Sequence, residues 1–373
     1  MTERHSTPIF LVIALAIHLA AVETTATQTA AEAVAPTADL PRERISIDRE
    51  WRFQKGDPPG NTFIKDPARR FTRPKGNPGG DVSYVQRDFD DRAWQKVDLP
   101  HDWAIGGPFL TTGPYGGMGR LPSWGIGWYR KKLSLPAEDS GKSVFLDVDG
   151  AMSYATVWLN GHLVGGWAYG YASWRVDLTP YLIFGDENQL AIRLDNPPDS
   201  SRWYPDGGIY RHGWLTKSGA VHIGHWGATV TTREVTSASA TVDLEVAIDN
   251  ALKASATVRI SSRIFALDDE GRKAGDAVAS VEPVETLVAA GASATVKGSV
   301  VIAGPRLWGP PPNQKPNRYV AVTTISRDGK ITDVVDTRFG IRTVRTGNIE
   351  LTATSAGLRS GATIITALAP VTQ

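Results

Sequence analysis

The sequence predicts an all-β protein that consists of two β-sandwiches in succession. From about Arg44 onward, short runs of β-forming residues are separated by Gly, Pro, Asn and Asp, and almost no stretch keeps a helical period. The composition changes after about Val221, where Trp and Tyr become rare and Ala, Thr, Val and Ser dominate. A length of 373 residues also allows more than one domain.

The N-terminal region is typical of a secretory signal peptide. A start that contains Arg4 is followed by the apolar run 9–22 and by a stretch of small residues that ends near Ala35. The apolar run is short for a bilayer span, which needs about 20 apolar residues, and an uncleaved anchor is the alternative. We therefore expect residues 1–35 to be a signal peptide with a small-residue linker, and the mature protein to be secreted or periplasmic.

The charge balance and the absence of cysteine exclude several kinds of function. Forty basic and 39 acidic residues leave a formal net charge of +1, so no excess charge attracts nucleic acid or an anionic membrane. Without Cys the chain has no disulfides and no thiolate metal site. We expect a neutral partner, and no metal or other cofactor.

The first predicted domain comprises residues 44–220. Apolar or alternating runs of strand length lie at residues 144–149, 155–159 and 188–194. Asn160-Gly161 follows the second run and predicts a two-residue type I′ turn, because both turn positions need positive φ. Trp158 alternates with its neighbours in the same run, which favours a place in the core.

The second predicted domain comprises residues 221–345. Its strand-like segments are rich in Ala, Thr, Val and Ser and lie at residues 240–248, 255–265 and 292–301. Turn signals about every ten positions are typical of an immunoglobulin-like β-sandwich, although the Cys and Trp markers of antibody domains are absent. We expect residues 346–373 to form an irregular tail.

Candidate ligand-binding residues gather around a turn-rich loop, Trp203-Tyr204-Pro205-Asp206-Gly207-Gly208. Loops that present large aromatics on a rigid sandwich are suited to ligand binding. Sugars stack their C–H faces on aromatic rings, while carboxylates, amides and Arg bind the hydroxyls. The candidate sugar-binding group is Asp195, Asn196, Arg202, Trp203 and Tyr204. A loop that is merely held in place by its aromatics is the alternative, and the Gly207-Gly208 pair is predicted to be structural.

Four motifs follow one another along the first domain. They are Leu99-Pro100-His101-Asp102-Trp103, Gly127-Trp128-Tyr129-Arg130, Val157-Trp158-Leu159-Asn160-Gly161 and Trp203-Tyr204-Pro205-Asp206-Gly207-Gly208-Ile209-Tyr210-Arg211. Their order and spacing resemble those of family 2 glycoside hydrolases of the β-galactosidase type. Pro305-Arg306-Leu307-Trp308 and Arg338-Phe339-Gly340-Ile341-Arg342 resemble two motifs of that family's immunoglobulin-like domain. The resemblance extends over about residues 44 to 351.

The resemblance implies a jelly-roll, galactose-binding-like sandwich followed by the immunoglobulin-like sandwich. In the family, a (β/α)₈ barrel comes next and contains two catalytic glutamates, the acid/base one preceded by Asn. Such a barrel requires about 250 residues, whereas a few dozen follow Ile341 and the sequence has no Asn-Glu dipeptide. We therefore expect the catalytic barrel to be absent, and the chain to be a truncated hydrolase that is inactive alone.

The resemblance ends at Leu351, and a shift of the reading frame at this point would explain why residues beyond Thr352 have no family character. Within the site, some members of the family use an Asn at the position of Asn196 to contact the terminal sugar. Asn196 is therefore the best single candidate, and His101 and Asp102 of the first motif join the substrate-binding group. Arg202 stands near a position that is acidic in some galactosidases, so the identity of the sugar stays open.

Two further functions remain open on the sequence alone. The first is a stand-alone secreted protein that binds carbohydrate without hydrolysing it. The second is an adhesive or purely structural β-sandwich protein. A β-galactoside or related glycan is the expected partner of a truncated hydrolase. Such a chain should also expose the apolar surface that would face the barrel, which would lead to self-association.

Overall fold

The computed structural model describes residues 42–59, 77–111, 121–198, 203–312, 314–343, 348–353 and 361–366. The predicted signal peptide and linker, and Arg202, lie outside the described residues. The regular structure of the described residues is almost entirely β-strand, with short 3-10 helices at Ser83–Val85, Ala137–Asp139 and Thr179–Tyr181. The all-β prediction is confirmed. In these ranges no sheet closes into a barrel, and none of the helices has the length and apolar character that a membrane span requires.

The first sandwich consists of two antiparallel sheets. Six strands form the larger sheet: β2 (Trp51–Lys55), β3 (Gln95–Val97), β4 (Gly125–Ser134), β6 (Ala155–Leu159), β7 (His162–Trp167) and β9 (Glu187–Asn196). Their order across the sheet is β3-β2-β4-β9-β6-β7. Four strands form the smaller sheet: β1 (Arg42–Ser46), β5 (Ser143–Val148), β8 (Trp174–Asp177) and β10 (Gly213–Ser218). Their order is β1-β10-β5-β8.

The core of this sandwich lies between the two sheets. Alternate residues along each strand point to the same face, so one face of each sheet is apolar. Tyr129 and Ile192 from the larger sheet pack with Leu146 and Leu215 from the smaller one in a single buried cluster. Burial of these side chains is the main source of stability for the sandwich.

A second apolar layer covers the outer face of the six-stranded sheet. Trp128 of β4 and Trp158 of β6 stack with ring centroids 5.5 Å apart, and both are buried beneath Val85 and Trp94 of the segment before β3. The prediction that Trp158 belongs to the core is confirmed. The sheet is therefore buried on both faces. This burial explains why the sequences of β6 and of residues 190–194 in β9 are almost entirely apolar.

The predicted two-residue turn joins β6 to β7. Asn160 has φ 51° and Gly161 has φ 80°, as the predicted turn requires. The Asn160 side chain also accepts a hydrogen bond from the Gln189 backbone N–H at 2.9 Å and donates to the Tyr181 carbonyl at 2.9 Å. Asn is thus used here both for its conformation and for its side-chain hydrogen bonds.

A buried arginine fixes the segment that covers the six-stranded sheet. Arg130 of β4 is 1% exposed, and its Nε donates to the Asp91 carboxylate at 2.8 Å. Its two terminal nitrogens donate to backbone carbonyls of Tyr84, Gln86 and Phe89. Because a buried guanidinium is costly unless every donor is satisfied, this network determines the path of the covering segment.

Arg130→Ala should destabilise the fold by about 3–5 kcal/mol, because Asp91 and the carbonyls would lose their buried partner. Urea unfolding followed by tryptophan fluorescence measures this loss. Arg92→Ala is the matched control, since Arg92 pairs with Asp90 on the exposed surface of the same segment and should leave the unfolding midpoint unchanged. Equal midpoints for the two variants would contradict the role assigned to Arg130.

The second sandwich has seven strands in two antiparallel sheets. One sheet, of order β11-β12-β15, is formed by β11 (Val221–Arg233), β12 (Ser239–Asn250) and β15 (Ser293–Ala303). The other contains β13 (Ala256–Ala266), β14 (Ala279–Val288), β16 (Tyr319–Arg327) and β17 (Lys330–Phe339), in the order β14-β13-β16-β17. Seven strands in sheets of three and four are typical of the immunoglobulin-like architecture.

An ion pair joins the two sandwiches. Arg42 of β1 donates through Nε and Nη2 to the two carboxylate oxygens of Asp333 in β17, at 2.8 and 2.7 Å. The same carboxylate accepts the backbone N–H of Ile223 at 2.7 Å, and Arg42 Nη2 donates to the Ile223 carbonyl at 2.6 Å. The Asp333 side chain is fully buried, so this junction fixes β1 of the first sandwich against β11 and β17 of the second.

The C-terminal segment differs from the irregular tail that the sequence predicts. β18 (Asn348–Ala353) and β19 (Gly361–Thr366) pair as antiparallel strands. β19 lies beyond the end of the family resemblance, yet four of its six residues are Thr or Ile, and such β-branched residues favour extended backbone. The loss of family resemblance was therefore a poor guide to local structure here.

Candidate functional site

The predicted site residues lie on loops at one end of the first sandwich. His101 and Asp102 follow β3, Asp195 and Asn196 end β9, and Trp203 and Tyr204 precede β10. Two backbone hydrogen bonds, from the His101 N–H to the Ile209 carbonyl and from the Trp103 N–H to the Gly207 carbonyl, are each 2.8 Å long and join the first of these loops to the last. The structure thus brings together residues about 100 positions apart, while Arg202 lies outside the described part of the chain.

The Gly207-Gly208 pair makes this close approach possible. A Cβ on Gly208, which has φ +127°, would lie 2.4 Å from the Tyr129 hydroxyl and 2.5 Å from the His101 carbonyl. A Cβ on Gly207 would lie 2.7 Å from the indole nitrogen of Trp103. Both positions therefore exclude a side chain, in agreement with the structural role predicted for the pair.

Asn196 lies where the loops that contain Ser123, Ser153 and Asp206 meet, a region that we call the loop junction. It is 1% exposed. Its Nδ2 donates to the Ser123 carbonyl at 2.8 Å and to the Asp206 carbonyl at 3.0 Å, and its Oδ1 accepts the Ser153 hydroxyl at 3.4 Å. The amide that was predicted to contact a sugar is engaged by three other loops and has no access to solvent. The geometry gives Asn196 a positioning role instead.

Asp102 and Tyr204 form a hydrogen-bonded pair in the same junction. The Tyr204 hydroxyl donates to Asp102 Oδ2 at 2.6 Å, and Asp102 Oδ1 accepts the Ala104 N–H at 2.9 Å. Burial and the hydrogen bond to this carboxylate raise the pKa of Tyr204 far above its ordinary value. Tyr204 therefore stays protonated and acts as a donor to Asp102.

Asp206 is a titratable residue of the loop junction that was not among the predicted site residues. Burial, and next the neighbouring charge of Asp102, raise the pKa of its carboxyl above the ordinary value of 3.8. Its backbone has φ +69°, a conformation that Asp and Asn tolerate better than most residues.

His101 contacts the core of the first sandwich. Its Nδ1 lies 2.8 Å from the hydroxyl of Tyr129, which is fully buried in the core. Burial lowers the pKa of His101 below its ordinary value, so the ring is neutral at pH 7. His101 therefore links the loop to the core and is poorly suited to bind a ligand.

Asp195 remains partly exposed. One of its oxygens accepts hydrogen bonds at 3.3 Å from both terminal nitrogens of Arg193, which also pairs with Asp57 at 2.9 and 3.1 Å. The arrangement holds the Asp195 carboxylate at the rim of the loop junction. There it can accept hydrogen bonds from a hydroxyl-bearing ligand.

Exposed aromatic rings border this junction, and we call the set the aromatic ridge. It consists of Tyr154, Trp167, Tyr169, Tyr171 and Trp203. Trp203 is 60% exposed, and its Nε1 donates to the Tyr171 hydroxyl at 2.8 Å. Tyr171 and Tyr169 pack edge to face at 5.7 Å, and Tyr154, Trp167 and Tyr169 line a depression of about 440 Å³. Of these five residues, Trp203 alone was predicted from the sequence to bind a ligand.

The alternation of aromatic residues in the sequence could have revealed the ridge. Trp167, Tyr169 and Tyr171 occupy alternate positions in Trp-Ala-Tyr-Gly-Tyr, so in extended backbone their rings point to one side. Ser153, whose carbonyl accepts the Asp195 N–H at 2.9 Å, holds the loop that carries Tyr154 close to the end of β9. The loop junction therefore positions the ridge at its edge.

The chemistry of this end of the sandwich fits a ligand with apolar faces and hydroxyl groups. The ridge offers flat, exposed rings, and the Asp195 carboxylate supplies a hydrogen-bond acceptor nearby. Among the described residues, no group of three or more His, Asp or Glu side chains is arranged to hold a metal ion.

Family models match both sandwiches. The model described as glycosyl hydrolase 2 galactose-binding domain-like matches residues 124–208, and the model described as glycosyl hydrolases family 2 matches residues 221–342. The first match covers most of the loops described above. It confirms the galactose-binding-like domain that the resemblance implied.

Similar curated proteins are named as glycosidases. The chain is 35% identical over 305 residues to beta-galactosidase BoGH2A of Bacteroides ovatus, an alignment that covers 81% of this chain and 32% of that protein. It is 27% identical over 325 residues to a beta-glucuronidase of Formosa agariphila, covering 81% of this chain and 30% of that protein. The chain thus spans about a third of the length of these relatives.

A solved structure has the same arrangement of sandwiches. A glycosyl hydrolase family 2 member from Bacteroides cellulosilyticus aligns with a TM-score of 0.65 and 27% identity, over 87% of this chain and 37% of that one.

Asp206→Asn should stabilise the protein at pH 7. A carboxyl whose pKa is raised on folding contributes stability below its unfolded pKa, and this contribution is lost as the pH rises through the folded pKa. Asn tolerates the same positive φ but carries no charge beside Asp102. Thermal unfolding should therefore show a higher melting temperature than the parent at pH 7, and the difference should shrink as the pH falls toward 3.8.

Asp269→Asn, in the exposed turn after β13, is the control for the loss of one negative charge. A melting temperature for Asp206→Asn at or below that of the parent at pH 7 would contradict the assigned environment of Asp206.

Proposed function

The chain belongs to glycoside hydrolase family 2, and on this premise we propose that its two sandwiches are the carbohydrate-binding, non-catalytic part of a β-galactosidase-type hydrolase. The observation that carries the proposal is the aromatic ridge beside the loop junction. Five exposed rings, four on loops and one at the end of β7, are an unusual surface for a protein in water. Rings of this kind bind the C–H faces of sugars, so the ridge is the proposed contact surface.

The proposed ligand is a β-galactoside or a related glycan. The names of similar proteins, a beta-galactosidase and a beta-glucuronidase, support this class of ligand. In the proposal, Trp203 and Trp167 stack on sugar rings and Asp195 accepts hydrogen bonds from hydroxyl groups. Asn196, His101, Asp102 and Tyr204 hold the loops that carry these contacts.

The proposed binding part does not hydrolyse glycosides by itself. Retaining glycosidases need two carboxyl groups about 5–5.5 Å apart that flank the bond to be broken. In this junction the Asp102 carboxylate is occupied by the Tyr204 hydroxyl and the Ala104 N–H, so it is not a free nucleophile beside Asp206. The catalytic glutamates that the family resemblance implies belong to a barrel, which neither of the two sandwiches supplies.

The proposal also includes the setting in which the protein acts. The apolar run 9–22 supports export to the periplasm or the medium, where glycans are encountered. Nucleic acid is not among the proposed partners. The ridge also supplies an apolar surface through which copies of the chain can associate when no glycan covers it.

Trp203→Ala and Trp167→Ala should each weaken the binding of β-1,4-galactotetraose by about tenfold, or about 1.4 kcal/mol, because each removes a stacking ring. Isothermal titration calorimetry measures the change. Tyr181→Ala is the matched control, because Tyr181 is an exposed aromatic that stacks on His162 outside the ridge. Equal affinities for all three variants and the parent would contradict binding at the ridge.

The purified chain should not hydrolyse 4-nitrophenyl β-D-galactoside or the corresponding glucuronide. Release of nitrophenol measured at 400 nm tests this expectation, and Asp206→Asn serves as the decisive variant. Turnover by the parent chain that Asp206→Asn abolishes would place a catalytic acid in the loop junction and would overturn the non-catalytic assignment.

A further inference from the structure

A second cleft lies between the two sandwiches, on the smaller sheet of the first domain. It encloses about 450 Å³, a volume within the usual range for ligand sites. The first sandwich contributes Arg44, Asp149 and Trp174, and the second contributes Trp226 and Arg338. None of these residues belongs to the loop junction or to the aromatic ridge.

An irregular bulge in β11 forms one wall of the cleft. Ile223 pairs with Ile248 and Ala228 pairs with Val246, so the four residues 224–227 lie opposite a single residue of β12. Trp226, within this bulge, has φ 52° and is 74% exposed. Bulges of this kind are frequent next to functional sites, where they redirect a side chain.

The sequence of the bulge is adapted to this geometry. A Cβ on Gly227 would lie 2.8 Å from the Ala247 carbonyl, and one on Gly224 would lie 2.9 Å from the Asp249 carboxylate. Glycine on either side therefore lets the strand fold back and present Trp226. The Trp226 ring stacks on His225 at 4.2 Å, which holds it as a flat platform.

Polar side chains of the opposite wall are held in place by Trp214 of β10. The Trp214 indole N–H donates to Asp149 Oδ2 at 2.9 Å, and the Arg44 guanidinium lies 3.9 Å from the centroid of the Trp214 ring. The Arg44 and Asp149 side chains that line the cleft therefore have fixed positions.

Three of the four arginines that line the cleft are paired with a carboxylate, and the fourth, Arg338, donates to the Gly271 carbonyl at 3.4 Å. Arg175 donates to both oxygens of Asp147 at 2.6 and 2.8 Å, and Arg44 lies 3.6 Å from Asp149 while stacking on Trp214. Arg42 is likewise neutralised by Asp333. The cleft thus offers fixed donors and acceptors with little excess charge, which favours a neutral polyhydroxylated ligand over an anion.

We propose that this cleft is a second carbohydrate-binding site, which takes a neutral pyranoside through stacking on Trp226 and hydrogen bonds to Arg44 and Asp149. The site is separate from the aromatic ridge, and its existence does not depend on whether the ridge binds sugar. A glycan chain could occupy either site alone or both together.

The indole N–H signals of the full chain, labelled with ¹⁵N in tryptophan, test this site by NMR. Signals are assigned with single Trp→Phe variants and followed during titration with β-1,4-linked tetrasaccharides of galactose, glucose and mannose, and with tetragalacturonate as the anionic probe. We expect the Trp214 and Trp226 signals to shift with at least one neutral probe, because the Trp214 N–H is bound to Asp149 of the cleft. The shifts should persist in Trp203→Ala, which removes a ring of the ridge.

Trp226→Ala should weaken the binding reported by the Trp214 signal by about tenfold, and Trp226→Tyr should restore most of it, because a ring remains. Shifts confined to Trp167 and Trp203 would overturn the second site while leaving the proposed function intact. Shifts at Trp214 with tetragalacturonate alone would overturn its assignment to neutral sugars. The absence of any shift with all four probes would overturn both proposals.

Discussion

The arrangement of the candidate site depends on one buried side chain, the amide of Asn196. It connects the loop of Ser123, the loop of Ser153 and the loop of Asp206, and each of its three hydrogen bonds satisfies a polar group that burial would otherwise make costly. No apolar residue could hold these three loops in the same way. The ridge aromatics lie on or beside the loops so joined, which is why a surface of exposed rings can keep a defined shape.

The two proposed sites use different physical means to present an aromatic ring to solvent. At the loop junction, hydrogen bonds between loops hold the rings of the ridge at the end of the sandwich. In the cleft between the sandwiches, a bulge with φ 52° at Trp226 redirects one residue of an otherwise regular strand. That bulge begins directly after Ile223, whose N–H and carbonyl are bound by Asp333 and Arg42. The interdomain ion pair thus fixes the wall of the second cleft as well as the junction of the domains.

Local patterns in the sequence were sufficient for much of the fold. The alternation of apolar residues predicted β5, β6 and β9 to within two residues of their observed ends. Asn160-Gly161 predicted its turn because few residues adopt positive φ. The role of Asn196 could not be predicted in this way. Whether an amide is buried depends on Ser123 and Asp206, which are brought to it only by the complete fold. The β11 bulge is equally non-local, since it is visible only in the pairing with β12. Strand β19 shows the opposite error, in which loss of family character was taken as loss of structure.

The central claim is that the aromatic ridge is a sugar-binding surface of a family 2 glycoside hydrolase. A crystal structure of the chain with β-1,4-galactotetraose at saturating concentration tests it most directly. The account predicts sugar rings stacked on Trp203 and Trp167, with a hydroxyl within hydrogen-bonding distance of the Asp195 carboxylate and with Asn196 still buried. A ridge covered by another part of the protein, or a sugar bound with none of its rings on the ridge, would contradict it.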